Sequence, residues 1–103
     1  MASKQNKPEP QGDELAAIGR TPVFKAQFRE DLIWWARKQP RLFDKILDLV
    51  EEIVVNPFEG TGKPEPLRYM EGNLWSRRIN QEHRLVYRVT ADRIYFIQAR
   101  YHY

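Results

Sequence analysis

The stretch Pro57-Phe58-Glu59-Gly60-Thr61-Gly62-Lys63-Pro64-Glu65-Pro66 divides the chain into two parts with different hydrophobic periods. Its three prolines and two glycines exclude regular structure across most of it. Before this loop, apolar residues recur at helical spacing. Phe28, Leu32 and Trp35 form one stripe, which Ile33 and Trp34 widen. That helix is expected to end near Gln39, because Pro40 restricts the residue before it and can itself open the next helix. Leu42, Ile46, Leu49 and Ile53 then form a second stripe, flanked by Phe43, Val50 and Val54. Asp44, Lys45, Asp48, Glu51 and Glu52 occupy the opposite face, and the helix ends near Asn56-Pro57. The short link between the helices predicts a hairpin packed on one apolar surface.

After the loop the pattern changes to short alternating segments. Strands are expected at residues 67–70, 74–79, 83–89 and 93–100, separated by turns at 71–73, 80–82 and 91–92. Turns this short force antiparallel neighbours. Thr21 to Phe24 reads as a further short strand, with Pro22 confining it to an edge or a strand start. The predicted fold class is α+β: a twisted, mostly antiparallel sheet with an N-terminal helical hairpin on one face and the other face free to bind. Residues 1–20 are polar and broken by Pro8, Pro10 and Gly12, so they are expected to form a disordered tail before a domain spanning 21–103. There is no internal repeat.

Composition narrows the function classes. There is no cysteine, which removes disulfides and thiolate metal sites and is compatible with a reducing cytoplasm. The longest apolar run, Leu32 to Ala36, is far short of a membrane span, and Met1 to Pro10 has no signal-peptide core. Residues 1–62 carry 9 Lys/Arg and 10 Asp/Glu, whereas residues 63–103 carry 8 Lys/Arg and 4 Asp/Glu. All but one of those eight are arginine, the side chain whose planar fork best matches phosphate. A basic, aromatic-rich half is a nucleic-acid footprint, although ordinary surface ion pairs leave the same mark.

Alternation sorts the strand residues into faces. Arg84, Val86 and Arg88 share one face, and Leu85, Tyr87 and Val89 the other. Ser76 and Arg78 oppose Trp75, Arg77 and Ile79, so at most one of Arg77 and Arg78 faces a given site. A lone arginine on a sheet face is ordinarily a surface residue. The segment Ala99-Arg100-Tyr101-His102-Tyr103 is aromatic where chain ends are usually polar, which suggests a docked end or simple aromatic packing. Together the basic half holds a loop carboxylate, Glu65, several arginines and His102. Those are parts for cutting RNA without a metal. A carboxylate removes the 2′-hydroxyl proton, an arginine stabilises the phosphorane, and an imidazolium protonates the departing 5′-oxygen. Histidine suits the acid role because its unperturbed pKa is about 6.5.

Four blocks add a resemblance. The loop Asn56 to Leu67, the run Trp75-Ser76-Arg77-Arg78-Ile79, the run His83-Arg84-Leu85-Val86-Tyr87 and the segment Arg100-Tyr101-His102-Tyr103 resemble the YoeB/Txe toxins, in the family's order and spacing. The resemblance covers about Thr21 to Tyr103. It implies a RelE-like fold, with the Thr21–Phe24 strand joined to the sheet, in a bacterial cytoplasmic toxin of a type II toxin–antitoxin system. It further implies a ribosome-dependent endoribonuclease that cleaves messenger RNA in the ribosomal A site and is neutralised by a YefM-type antitoxin. No cofactor, metal or membrane is implied, and homodimerisation stays open, although many relatives dimerise. Residue by residue, Glu65 matches the family's general base, Arg84 the transition-state arginine, His102 the general acid and Tyr103 the residue that helps hold the target nucleotide. Arg78 matches a second active-site arginine. Arg68 stands where lysine is common, which keeps the charge and changes its geometry. Lys63 reads either as a ribosomal RNA contact or as a plain loop charge. His83 is expected to be structural or at a rim, and Trp34 and Trp35 to be core or partner-contact residues.

Two alternatives remain beside the nuclease. One is a non-catalytic module of the same fold that binds the ribosome or nucleic acid and blocks translation. The other, a metal-dependent nuclease, is disfavoured because Glu65 alone in the basic half looks like a placed carboxylate, and metal sites usually need several oxygen ligands.

Overall fold

The computed structural model describes residues 19–100 of the 103. The expected tail before Gly19, and the sequence expectations for His102 and Tyr103, lie outside the described residues. Strand β1 is Thr21–Phe24, helix α1 Ala26–Lys38 and helix α2 Pro40–Val55. Four strands follow: β2 Glu65–Pro66, β3 Leu74–Arg78, β4 Arg84–Val89 and β5 Arg93–Gln98. They form one five-stranded sheet in the order β1-β5-β4-β3-β2. β1 runs parallel to β5, while every other neighbouring pair is antiparallel. Both helices lie on one face, so the expected α+β layout holds, including β1 as an edge strand that tolerates Pro22.

The helical hairpin forms for local reasons. Arg37 and Lys38 sit in the last turn of α1, where cations complement the carbonyl end of the helix. Pro40 starts α2, where its missing N–H costs no helical bond. Phe28 and Trp35 from α1 and Ile46, Leu49, Val50 and Ile53 from α2 meet Leu85, Tyr87, Val89, Ile94 and Phe96 in the core. Burying one such large side chain contributes about 1.5–3 kcal/mol. Phe24 closes the edge, its ring 5.0 Å from Phe28 and 5.6 Å from Phe96 in edge-on contacts.

The structure corrects four local expectations. The first strand after the loop is Glu65–Pro66, not residues 67–70. An edge strand accepts the prolines, and Leu67 to Met70 closes instead as a turn, with the Met70 N–H donating to Leu67 O at 3.0 Å. The last strand stops at Gln98, two residues early, because the Ala99 N–H and carbonyl bond the Asp31 and Trp35 side chains of α1 in place of a neighbouring strand; just before that end the β4–β5 register passes from Tyr87↔Phe96 to Val86↔Gln98 and skips Ile97. Arg20, assigned to the tail, is tied to the fold: its N–H donates to Val54 O at 2.9 Å and its Nε to Thr90 O at 2.8 Å. Arg77 is no surface arginine but a fully buried one, on the face it shares with Trp75 and Ile79, which the helices cover.

Candidate active site

The face of the sheet away from the helices carries an open groove of about 600 Å³. Its lining includes Glu65 from β2, Ser76 and Arg78 from β3, Arg84 and Val86 from β4, and Arg100 just beyond β5. Register explains the convergence. Glu65 pairs with Ser76, Ser76 with Val86 and Val86 with Gln98, so these four stand in one row across the sheet.

Arg84 organises the row. Its Nε donates to Ser76 Oγ at 2.8 Å and its Nη2 to Glu65 Oε1 at 3.1 Å. The Ser76 hydroxyl is buried beneath it and fixes the plane of the guanidinium. The Glu65 carboxylate remains mostly in solvent, so a ligand reaches it without displacing the core. Arg78 and Arg84 are directly opposed across β3 and β4. Like charges facing each other across a strand pair destabilise a sheet unless an anion lies between them. With Arg68 and Arg100, four arginines and the two acids Glu65 and Glu82 line the groove, which gives it a positive balance.

A second set of contacts holds the loop that delivers Glu65. Arg77 spends all five N–H donors beneath the sheet. They reach Tyr87 Oη (3.3 Å), Glu52 Oε1 (3.0 Å), and the carbonyls of Thr61 (3.2 Å), Asn56 (2.7 Å) and Glu59 (2.8 Å). Tyr87 Oη donates onward to Pro57 O at 2.6 Å. Burial pushes the Tyr87 hydroxyl above its ordinary value, so it stays a donor. The Thr61 N–H, 2.9 Å from Glu52, holds that carboxyl below its ordinary value against partial desolvation, with help from the Thr61 hydroxyl and Arg77. The loop then turns at Gly62, whose φ of 87° favours glycine, and its carbonyl accepts the Arg78 N–H at 2.7 Å.

The structure thus brings Glu65, Arg84, Arg78 and Arg68 to one groove. Lys63 stands at the loop corner with φ 53°, outside the groove lining. His83 packs edge-on against Trp35 at 5.1 Å, in keeping with a structural role, and Trp35 is buried in the core. Sequence reasoning missed Ser76, Arg100 and the exposed Tyr69 as lining residues, and Arg77 as the loop anchor. The signal for Ser76 was present, since alternation put it on the Arg78 face. Among the described residues no group of three or more His, Asp or Glu side chains could hold a metal ion, and no helix is long and apolar enough to cross a membrane.

Fold and groove together define a small α+β domain whose open sheet face is organised for an anionic ligand. A model of the YoeB-like toxin of bacterial type II toxin-antitoxin systems matches residues 24–103. Toxin YoeB of Escherichia coli (strain K12) is 46% identical over 81 residues, covering 79% of this chain and 96% of that protein. The YoeB dimer from Staphylococcus aureus superposes with a TM-score of 0.72 at 38% identity, covering 82% of this chain and 98% of that one. A heterotetrameric YoeB-YefM toxin-antitoxin complex from the same organism gives 0.71 at 38% identity, with the same coverage. The chain belongs to the YoeB-like toxin family.

Proposed function

We propose that this toxin is a ribosome-dependent endoribonuclease that cleaves messenger RNA in the ribosomal A site of a bacterial cytoplasm. The observation that carries the reading is the Glu65–Arg84 pair, 3.1 Å apart in an arginine-lined groove on a rigid sheet.

The roles follow from chemistry. The Glu65 carboxylate takes the proton of a ribose 2′-hydroxyl, and the 2′-oxygen attacks the adjacent phosphorus. Arg84 already carries a donor at Glu65 and holds its plane through Ser76, so its fork meets the charge that grows on the phosphorane oxygens. Arg78 and Arg68 hold the flanking phosphate charge. His102 gives its proton to the departing 5′-oxygen, and Tyr103 helps hold the target nucleotide. The P–O5′ bond breaks and a 2′,3′-cyclic phosphate forms. A domain this small contacts few nucleotides, so ribosomal RNA supplies the in-line geometry for attack. The S. aureus relative's complex supports a YefM-type antitoxin as the neutralising partner, and the S. aureus dimer supports self-association.

The test uses purified toxin, defined ribosomes and one labelled messenger with a known codon in the A site. Cleavage is expected at that codon with ribosomes and not without them. Glu65→Gln and His102→Ala should each lower it by about 10²–10⁴-fold. Translation arrest with the messenger intact would favour the non-catalytic blocker instead.

A further inference from the structure

The geometry points to Asp31 and Trp35 as positioning residues for His102, acting through a two-point clamp on the backbone of Ala99; this inference rests on the acid role proposed for His102. Asp31 and Trp35 lie one turn apart on α1, and both are buried, at 1% and 0% exposure. Asp31 Oδ2 accepts the Ala99 N–H at 2.8 Å, while Trp35 Nε1 donates to Ala99 O at 2.7 Å. Ala99 is itself fully buried, one residue past the end of β5. Its amide and carbonyl would be costly there without partners, and α1 supplies both.

A carboxylate in a core is an expensive way to end a strand. What it provides is a fixed point. Asp31 Oδ1 is braced by Gln27 Nε2 at 3.0 Å, and the Trp35 ring by His83 edge-on at 5.1 Å. Next to the clamp, the Arg100 guanidinium lies 3.8 Å over the ring of Trp34. Gln98 and Arg100, on either side of Ala99, both line the groove. His102 follows Ala99 by three residues, a reach of at most about 10–11 Å. The clamp therefore fixes the point from which the chain runs on to the proposed acid. A shift of 1 Å in a reacting group costs about 10²-fold in rate.

Replacing Trp35 with phenylalanine removes the N–H donor and keeps an aromatic ring in the core. Site-specific benzothienylalanine at the same position removes only the donor and keeps the shape, should the phenylalanine variant fail to fold. Both are compared with His102→Ala in single-turnover cleavage on programmed ribosomes. Two messengers are used, one normal and one with sulfur replacing the bridging 5′-oxygen at the cleaved linkage. A thiolate leaves without needing a proton, so it bypasses a missing acid. The Trp35 variants should lose about 10²-fold on the oxygen messenger, return towards the parent rate on the sulfur messenger, and bind ribosomes unchanged. No loss, or equal loss on both messengers, while His102→Ala is rescued by sulfur, overturns the clamp alone. Equal loss of His102→Ala on both messengers overturns the acid role and the clamp with it.

Discussion

Replacing Arg77 with methionine tests whether one buried guanidinium holds the loop that delivers Glu65. All five of its N–H donors have acceptors, from residues 52, 56, 59, 61 and 87. A hydrogen bond to a charged group is worth about 1.5–3 kcal/mol, so a plain sum would exceed what a domain of this size can lose. Two offsets apply. Asn56, Glu59 and Thr61 are exposed residues and the Glu52 side chain is 41% exposed, so water replaces much of what their oxygens lose. Methionine also removes the cost of keeping a charge in the core. Tyr87 Oη keeps its bond to Pro57 O.

The expected loss is therefore about 3 kcal/mol, the lower end for breaking a buried charged pair. For a domain of this size that lowers Tm by about 12–24 °C. Thermal unfolding followed by circular dichroism measures it directly. Arg77→Lys should fall nearly as far, because one ammonium cannot span Glu52 and three carbonyls. Amide exchange should rise first at Thr61 and Arg78, whose N–H groups bond Glu52 and Gly62. A drop below about 4 °C, the shift of under 1 kcal/mol, would refute the reasoning and make the loop self-supporting.

Three further outcomes follow. Glu52 has a lowered carboxyl value in the folded chain, so its contribution is complete above the ordinary value of 4.5 and is lost as pH falls through the folded value; Glu52→Gln should flatten that part of the acid limb in Tm-against-pH scans. Gly62→Ala should destabilise by about 1–3 kcal/mol in urea titration, because its φ is positive. Its new Cβ would also lie 2.9 Å from the Arg78 carbonyl. Arg84→Lys should keep the fold and Tm, yet lower single-turnover cleavage by about 10²–10³-fold, because an ammonium cannot hold Ser76 and stabilise the phosphorane with a planar fork.

What was legible in the sequence was what periodicity encodes. The stripes through Phe28 and Trp35 and through Ile46, Leu49 and Ile53 marked both helices, and alternation grouped Leu85, Tyr87 and Val89 on one face, which the structure buries in the core. Alternation grouped Ser76 with Arg78 and Val86 with Arg84 within their strands, but which faces coincide across β3 and β4 is set by the register, which alternation alone does not give. The edge strand at Glu65 was not legible, since two flanking prolines argue against a strand unless its outer side is known to be unpaired. The skipped Ile97 was not legible either, because a bulge follows from packing across the sheet and not from local preference. Alternation put Arg77 on the face opposite Arg78 without saying which was inner, and arginine is so seldom buried that its partners must be seen first. Its acceptors are mostly backbone carbonyls, which every residue carries and no pattern marks.

Asp31 and Arg77, the buried acidic and basic side chains among the described residues, share a logic. Neither is paired with the other across the core, as a conventional buried ion pair would be. Asp31 takes a backbone N–H just past the end of β5, and Arg77 takes backbone carbonyls in the loop before β2. Those are two of the places flanking the groove where the chain leaves regular structure and its own ladder no longer fixes it. An apolar side chain could fill either volume, but it could not dictate where a carbonyl or an amide sits. Buried charge at these points exchanges some stability for placement. In the proposed mechanism that exchange is useful at the loop bearing Glu65 and the segment leading to His102, where placement sets the rate. Arg84, between them on a central strand, is placed by the sheet and needs no such anchor beyond the hydroxyl of Ser76.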